Sequence, residues 1–290
     1  MMKPSLDKAK HQLLRIFAEM PPVLMQKDFK GILEKYRGDL NLPSTLRPDA
    51  FIRYCCLLMK FKRAEFKFPS RVEVRFYRPE TPLLLLVNSI KKGAYFSHYT
   101  ALQIHDLTEQ IPKTIFLNKE QSIKPKPAGS LEQANLNQAF SRNQRISRNI
   151  ATYQGTDICV LSGKNTNNLA VVSFSITEES SIMVTNVERT LIDIVVRPYY
   201  SGGVYEVLKA FRLASEKVSI NALVSTLKKL DYIYPYHQAI GFYLTRAECY
   251  SDKQIRLLKK LPMQYDFYLF HGIKQKDYSE EWRLFFPKGF

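Results

Sequence analysis

Residues 48–77 read PDAFIRYCCLLMKFKRAEFKFPSRVEVRFY, and the spacing of their apolar side chains changes part of the way along. Four apolar residues in the first part are spaced i, i+3, i+4 and i+7: Phe51, Tyr54, Cys55 and Leu58. This spacing predicts a helix that begins near Pro48. From Phe66 to Phe76 apolar residues alternate with charged ones around Pro69-Ser70, which predicts a two-stranded hairpin.

Two further helices are predicted before this stretch. Apolar residues recur at helical spacing from Asp7 until Pro21-Pro22, and again from Met25 to Leu33 ahead of a polar exit. Three helices followed by a basic hairpin is the order of a winged helix-turn-helix domain, whose third helix enters the major groove of DNA. The connection before Pro48 is longer than the turn of compact repressors.

Basic residues follow the predicted third helix and continue along the hairpin, where they are expected to form one cationic stripe. The candidate DNA-binding residues are Arg47, Arg53, Lys60, Lys62, Arg63, Lys67, Arg71 and Arg75. Neutralisation of phosphates would supply affinity, and an arginine held on a helix can bind guanine O6 and N7. The alternative is that three helices and a hairpin are a common arrangement, and that these charges only make the domain soluble.

The distribution of charge also favours a polyanion partner. The net charge is +16, and residues 1–150 hold 26 Lys and Arg against 13 Asp and Glu, whereas residues 151–290 hold 17 against 14. A basic domain is therefore expected beside a nearly neutral one.

A length of 290 residues is enough for two or three domains. The predicted helices and strands indicate an α+β protein. We expect a winged helix-turn-helix domain over 1–80 and a mixed α/β domain, mainly helical after about 200, over 81–290. No apolar run is long enough to span a membrane and the first residues do not resemble a secretion signal, so a cytoplasmic protein is expected. Cys55-Cys56, Cys159 and Cys249 match neither a disulfide framework nor a zinc motif, and neither a metal nor a cofactor is expected.

The second domain shows several local signals. Ser97 is expected to cap a helix, and Thr185 with Glu188 has the spacing of a capping box. Arg142, Arg145 and Arg148 recur every third residue, so that on a helix they would form a cationic face that contacts phosphate or is merely solvated. Residues 121–130 are predicted to be a linker.

Two segments resemble a known family. Gly93–His105, GAYFSHYTALQIH, resembles the Tyr-x-Ser-His-x-x-Ala-Leu-x-x-His signature of the AbiEi-type antitoxins of bacterial AbiE toxin–antitoxin systems. Val184–Asp193, VTNVERTLID, is similar to the second hallmark of that family, and family-like Arg197-Pro198 and Gly202-Gly203 follow it. The match is clear over 91–213. In the rest of the chain only the order of the predicted elements is similar.

This resemblance implies a winged-helix domain that binds inverted repeats in the double-stranded DNA of the promoter of the protein's own operon, and thereby represses transcription. It also implies that the second domain counters a nucleotidyltransferase toxin, usually without a stable complex. The front of this chain is longer and more basic than the compact winged helix of the family.

Catalytic and metal-binding interpretations find little support in these motifs. His98 and His105 are seven residues apart, about 10 Å along one helix, which is too far for one metal ion. We expect Arg189 or Asp193 to join a buried salt bridge. Because these residues are expected to stabilise the fold and not to take part in catalysis, enzymatic activity is not expected.

Two alternatives remain open. A metal-dependent nuclease would need clustered carboxylates, for which the nearest candidates are Asp266, Asp277, Glu280 and Glu281, with Arg283 in place of a lysine. A basic adaptor that binds RNA or an acidic protein is the other alternative, although no RNA-binding signature accompanies the aromatic residues.

Overall fold

The computed structural model describes residues 3–125 and 130–290, and the fold is mixed α+β. Four residues of the predicted linker, 126–129, lie outside the described residues. The elements before them are α1 (Lys3–Lys8), α2 (Lys10–Ala18), β1 (Val23–Leu24), α3 (Gln26–Tyr36), α4 (Pro48–Met59), β2 (Lys62–Phe68), β3 (Arg71–Tyr77), α5 (Leu83–Asn88), β4 (Tyr95–Phe96), α6 (His98–Ile104) and β5 (Thr114–Glu120). The elements after them are α7 (Gln133–Ser141), β6 (Ile150–Tyr153), β7 (Thr156–Gly163), β8 (Val171–Ser175), β9 (Ser181–Thr185), α8 (Val187–Val196), the 3-10 helix η1 (Pro198–Ser201), α9 (Val204–Leu213), α10 (Ile220–Leu230), α11 (Tyr236–Ala247), α12 (Asp252–Lys259), β10 (Phe267–Tyr268), β11 (Lys276–Ser279) and β12 (Leu284–Pro287).

The chain divides into two compact units. The first unit contains 1–92, 150–155 and 175–181, and the second contains 93–149, 156–174 and 182–290. Each unit therefore contains segments that are far apart in the sequence. Among the described residues, no helix combines the length and the apolar character that a bilayer crossing requires.

The first unit packs helices α2, α3 and α4 with a small sheet. Strand β1 pairs antiparallel with β3, and β3 pairs antiparallel with β2, which gives the order β1-β3-β2. The helices and the sheet share an aromatic core in which the ring centroids of Phe29 and Phe17 are 5.6 Å apart and those of Phe29 and Phe76 are 5.2 Å apart. These rings lie on α2, α3 and β3, so the core fixes the hairpin against the helices.

Strand β6 belongs to the first unit although it follows β3 by more than 70 residues. Its Tyr153 ring lies 5.0 Å from the ring of Phe66, and the hydroxyl groups of Tyr153 and Tyr77 are 2.8 Å apart. The buried face of the hairpin is thus packed against a segment from the middle of the chain.

The second unit packs helices against a mixed sheet. Five strands of one sheet lie in the order β7-β5-β4-β9-β8, with β5 and β7 parallel, and a second sheet has the order β10-β12-β11. Helix α11 is central because nine of its twelve residues are buried. Its Gly241 lies directly against the ring of the fully buried Trp282.

The predicted salt bridge in the second hallmark segment is confirmed. Arg189 Nε lies 2.7 Å from Asp193 Oδ1, one turn further along α8, and the two side chains are only 5% and 7% exposed. Arg189 also donates to the Leu169 carbonyl at 2.9 Å. Burial raises the pKa of Asp193 above its ordinary value, while the facing guanidinium acts in the opposite direction. These residues specify the fold.

The capping predictions in this unit need correction. The cap of α8 is Asn186, whose side chain accepts from Arg189 N, so Thr185 and Glu188 do not form the expected capping box. Thr185 Oγ1 instead lies 2.8 Å from Thr190 Oγ1. Ser97 does precede α6, but its hydroxyl lies 2.8 Å from His98 Nδ1 and makes no capping hydrogen bond.

Helix α7 ends at Ser141, which corrects the prediction for the three arginines that follow it. Arg142, Arg145 and Arg148 lie on an exposed connection, because residues 143–149 are neither helix nor strand. A helical cationic face does not form there.

Candidate nucleic-acid interface

Helix α4 presents its polar stripe to solvent. Pro48 occupies the first turn, where its missing N–H costs no hydrogen bond, and Lys60 ends the helix in the left-handed conformation with φ 56°. Phe51, Ile52 and Cys55 are buried in the core of the first unit. The exposed stripe opposite this apolar face consists of Asp49, Arg53, Leu57 and Lys60.

Arg47 lies immediately before α4 and is exposed. The loop that leads to it is held by Arg37, which donates to the carbonyl of Pro43 and, at 3.2 Å, to the carbonyl of Leu46. The long connection noted in the sequence therefore has a defined anchor, and the start of α4 is fixed by it.

The register of the hairpin assigns each basic residue to one of its two faces. Lys67 pairs with Val72, and Arg63 pairs with Phe76. Since directly paired residues share a face and successive residues alternate, Arg63 and Lys67 lie on the face that includes Phe76. Arg71 pairs with Phe68, and Arg75 pairs with Ala64. Lys62, Arg71 and Arg75 therefore lie on the other face.

Arg75 corrects the expectation of a single exposed stripe. Its side chain is only 5% exposed, and its guanidinium donates to the carbonyl of Ser89 at 2.9 Å and that of Ile90 at 3.1 Å. It also pairs with Glu73 at 3.1 Å. Strand alternation places Arg75 opposite the buried Ala64, where the end of α5 accepts its hydrogen bonds, so it holds the fold together.

The remaining hairpin cations differ in how free they are. Arg71 is half-buried, pairs with Glu73 at 3.1 Å and lies over the Phe68 ring. On the opposite face, Glu65 lies 2.8 Å from Arg63 and 3.5 Å from Lys67, both of which are exposed. The hydrogen bond from Arg63 is the main cause of a lowered pKa of Glu65.

Six of the eight predicted residues are exposed, and their ion pairs with Glu65 bring Arg63 and Lys67 together. The exposed members are Arg47, Arg53, Lys60, Lys62, Arg63 and Lys67. Sequence reasoning missed Leu57, which is 81% exposed on the same stripe of α4. The helical period predicts its exposure. Leu57 is four residues after Arg53 and so shares its face, and it is two residues after the buried Cys55 and so lies on a different face.

The four carboxylates of the nuclease alternative lie in the second unit, and two of them have other partners. Asp266 accepts from Tyr278 Oη at 2.7 Å and Arg283 Nε at 2.9 Å, and Glu281 pairs with Lys259. Within the described ranges, no group of three or more His, Cys, Asp or Glu side chains is placed to hold a metal ion.

The whole fold is similar to the crystal structure of the RV2827C protein from Mycobacterium tuberculosis. The TM-score is 0.58 at 11% sequence identity, and the similarity covers 97% of this chain and 91% of that one. At this identity the similarity establishes the fold alone. No family model and no curated protein matches the sequence.

Proposed function

We propose that the chain is a DNA-binding transcription regulator whose first unit reads duplex DNA as a winged helix-turn-helix. In this proposal α4 enters the major groove and the β2–β3 hairpin contacts the flanking backbone. The order α2-β1-α3-α4-β2-β3, with the strands arranged β1-β3-β2, supports the winged-helix interpretation. Strand β1, absent from the sequence prediction, contributes to this support because it fastens the hairpin to the helices.

One observation carries the proposal: exposed cations lie on α4, at its end and at the start of β2. Arg53 and Lys60 occupy the solvent stripe of the helix, and Lys62 follows at once on the strand. No carboxylate of the described residues forms an ion pair with any of these three. A cation without an ion pair binds phosphate at a lower cost in free energy, because no contact with a carboxylate has to be broken first.

Base reading is assigned to the middle of α4. Arg53 is exposed near the middle of the helix, next to the buried Ile52. Leu57 lies one turn further along the same stripe, and an apolar side chain there suits the methyl group of thymine. Lys67 and Arg63, partly neutralised by Glu65, are assigned to backbone contacts.

Binding to the DNA immediately upstream of the protein's own gene tests this proposal. Fluorescence anisotropy is measured with that duplex and with a scrambled duplex of equal length, over 50 to 200 mM salt. We expect the Arg53→Ala variant to lose about 5- to 150-fold in affinity for the upstream duplex and much less for the scrambled one. Lys67→Ala is expected to weaken binding to both and to reduce the salt slope by about 1.

Arg256→Ala is the matched control, since Arg256 is an exposed arginine on a helix of the second unit. It should bind as the unmodified chain does. Equal affinity for both duplexes, or an Arg53→Ala variant that binds normally, would refute sequence reading by α4.

We further propose, on the resemblance of Gly93–His105 and Val184–Asp193 to AbiEi-type antitoxins, that this regulator counters a nucleotidyltransferase toxin. Co-expression with a nucleotidyltransferase encoded by the adjacent gene tests it. Growth should be restored by the full chain and equally by its Arg53→Ala variant, without co-elution of the two proteins. If the full chain does not relieve the growth arrest, the antitoxin proposal is refuted, and the proposal of a DNA-binding regulator still stands.

A further inference from the structure

A connection in the second unit exposes three arginines at regular intervals. After α7, Arg142 is extended with φ −90° and ψ 153°, and the following residues 143–149 form neither helix nor strand. Arg142, Arg145 and Arg148, which we call the arginine row, are all exposed. Their spacing of three residues is the period of an extended chain with three residues per turn, in which every third side chain points the same way.

Residues between the arginines hold this connection to the body of the unit. Gln144 donates to the carbonyl of Val196 at 3.2 Å, and Ser147 N donates to the hydroxyl of Tyr200 at 2.8 Å. Asn149 donates to the carbonyl of Val160 at 3.2 Å. The inward contacts of Gln144 and Ser147 also recur every third residue, so the arginines are left on the outward side.

Two residues beside η1 extend the same surface. Arg197 donates to the carbonyl of Arg145 at 3.2 Å, which places a fourth guanidinium beside the row. Tyr199 is 61% exposed, and its ring centroid lies 6.0 Å from that of Tyr200, whose hydroxyl accepts from Ser147. An exposed aromatic ring therefore lies on η1, two residues after Arg197 and beside the tyrosine that binds Ser147.

The charge on this surface is not neutralised. In the part of the chain that the structure describes, no carboxylate forms an ion pair with any arginine of the row or with Arg197. This differs from the hairpin of the first unit, where Glu65 and Glu73 pair with four of the cations. Four unpaired guanidinium groups beside one exposed ring match a polyanion that also carries aromatic bases.

We propose that the arginine row, with Arg197 and Tyr199, is a second nucleic-acid surface, and that it binds a single strand. The arginines contact successive phosphates, and Tyr199 stacks on a base. This surface belongs to the second unit, whereas the duplex-reading surface is proposed for the first.

The geometry favours a single strand over a duplex. A major groove admits a projecting helix or hairpin, whereas this connection is fastened along its length by Gln144, Ser147 and Asn149. It is therefore not free to project into a groove. A flexible strand can instead follow the row and turn one base onto Tyr199.

Anisotropy with labelled 12-nucleotide RNA and DNA strands of the same sequence tests the proposal with the full-length chain. The variant R142A/R145A/R148A should bind at least about tenfold more weakly at 0.1 M salt, and its salt slope should fall by about 2, since each single-strand phosphate contact contributes about 0.7. Tyr199→Ala should lose about fivefold or more, whereas Tyr199→Phe, which keeps the ring, should bind normally. The two strands show whether ribose or deoxyribose is preferred.

Two controls separate this surface from general charge and from the first unit. K228A/K229A/K253A removes three exposed lysines elsewhere in the second unit and should leave binding unchanged. Arg53→Ala should also bind the single strand normally. Thermal unfolding should be the same for both triple variants, because the side chains removed are exposed.

Three results would overturn the proposal. One is an equal loss of single-strand binding in the two triple variants, which would show nonspecific attraction. The second is an equal loss of binding to a 12-base-pair duplex, which would assign the surface to double strands. The third is binding of polyglutamate of equal charge as tightly as the RNA strand, which would point to an acidic protein.

Discussion

Replacing Asp193 by asparagine removes the charge that faces Arg189 while keeping the size of the side chain. In the second unit the two groups are 2.7 Å apart with 5% and 7% of their side chains exposed, so water cannot solvate the guanidinium that is left. Breaking a buried pair by removing one partner typically costs about 3–5 kcal/mol. That is a large part of the roughly 5–15 kcal/mol by which a domain is stable.

Urea unfolding followed by tryptophan fluorescence measures this cost. Trp282 is the single tryptophan of the chain and is fully buried in the second unit, so its emission reports unfolding of the unit that holds the ion pair. With an m value of about 3 kcal/mol/M, the midpoint should fall by about 1 to 2 M. The control Asp277→Asn alters an exposed aspartate of the same unit and should change stability by less than about 0.5 kcal/mol.

A double variant separates the charge from the packing. Arg189→Met combined with Asp193→Leu removes both charges, and we expect it to be more stable than Asp193→Asn alone. A midpoint for Asp193→Asn within about 0.3 M of the unmodified chain would contradict the reasoning, because the guanidinium would then have another route to solvation.

Two more predictions follow from the second unit. A Cβ at Gly241 would lie 2.1 Å from Trp282 Cζ3. Gly241→Ala should therefore lower the free energy of unfolding by about 2–3 kcal/mol in the urea titration, whereas the control Asp277→Asn should change it little. Burial, with smaller contributions from Arg189 and Arg197, lowers the pKa of His98 to about 3, so the unfolded chain binds a proton below about pH 6.5 that the folded chain does not. This contribution to stability is complete above pH 6.5 and decreases toward pH 3, by about 2 kcal/mol between pH 7 and pH 5. His98→Asn, which tolerates the local φ of 54°, should flatten the pH dependence of the urea midpoint by that amount, and an unchanged slope would show that His98 is protonated when folded.

The elements of the first unit that sequence alone predicts are those with a local pattern. The apolar period of α4 and the alternation in the hairpin depend on neighbours within a few residues, and both predictions agree with the structure in type and position. Strand β1 has two residues and no pattern of its own, because its pairing with Phe76 and Tyr77 defines it.

The candidate interface was predicted less completely, and Arg75 shows why. Its charge attracted attention, but its burial depends on Ser89 and Ile90 at the end of a helix further along the chain. The hairpin register held a usable signal, since Arg75 pairs with the small apolar Ala64. The spacing of the arginine row is visible in the sequence, but the connection that exposes it is held by contacts with Val196 and Tyr200, about 50 residues away.

The discontinuous first unit has a consequence for the order in which the chain acquires its structure during synthesis. A ribosome that has released the first 92 residues has not yet made Tyr153, whose ring lies beside Phe66 and whose hydroxyl meets that of Tyr77. The inner surface of the nascent hairpin therefore stays open to water, and to other nascent chains, until about 60 more residues have emerged. Translation rate across this interval should then influence the yield of native protein, and a fragment that stops before Ile150 should be prone to aggregate.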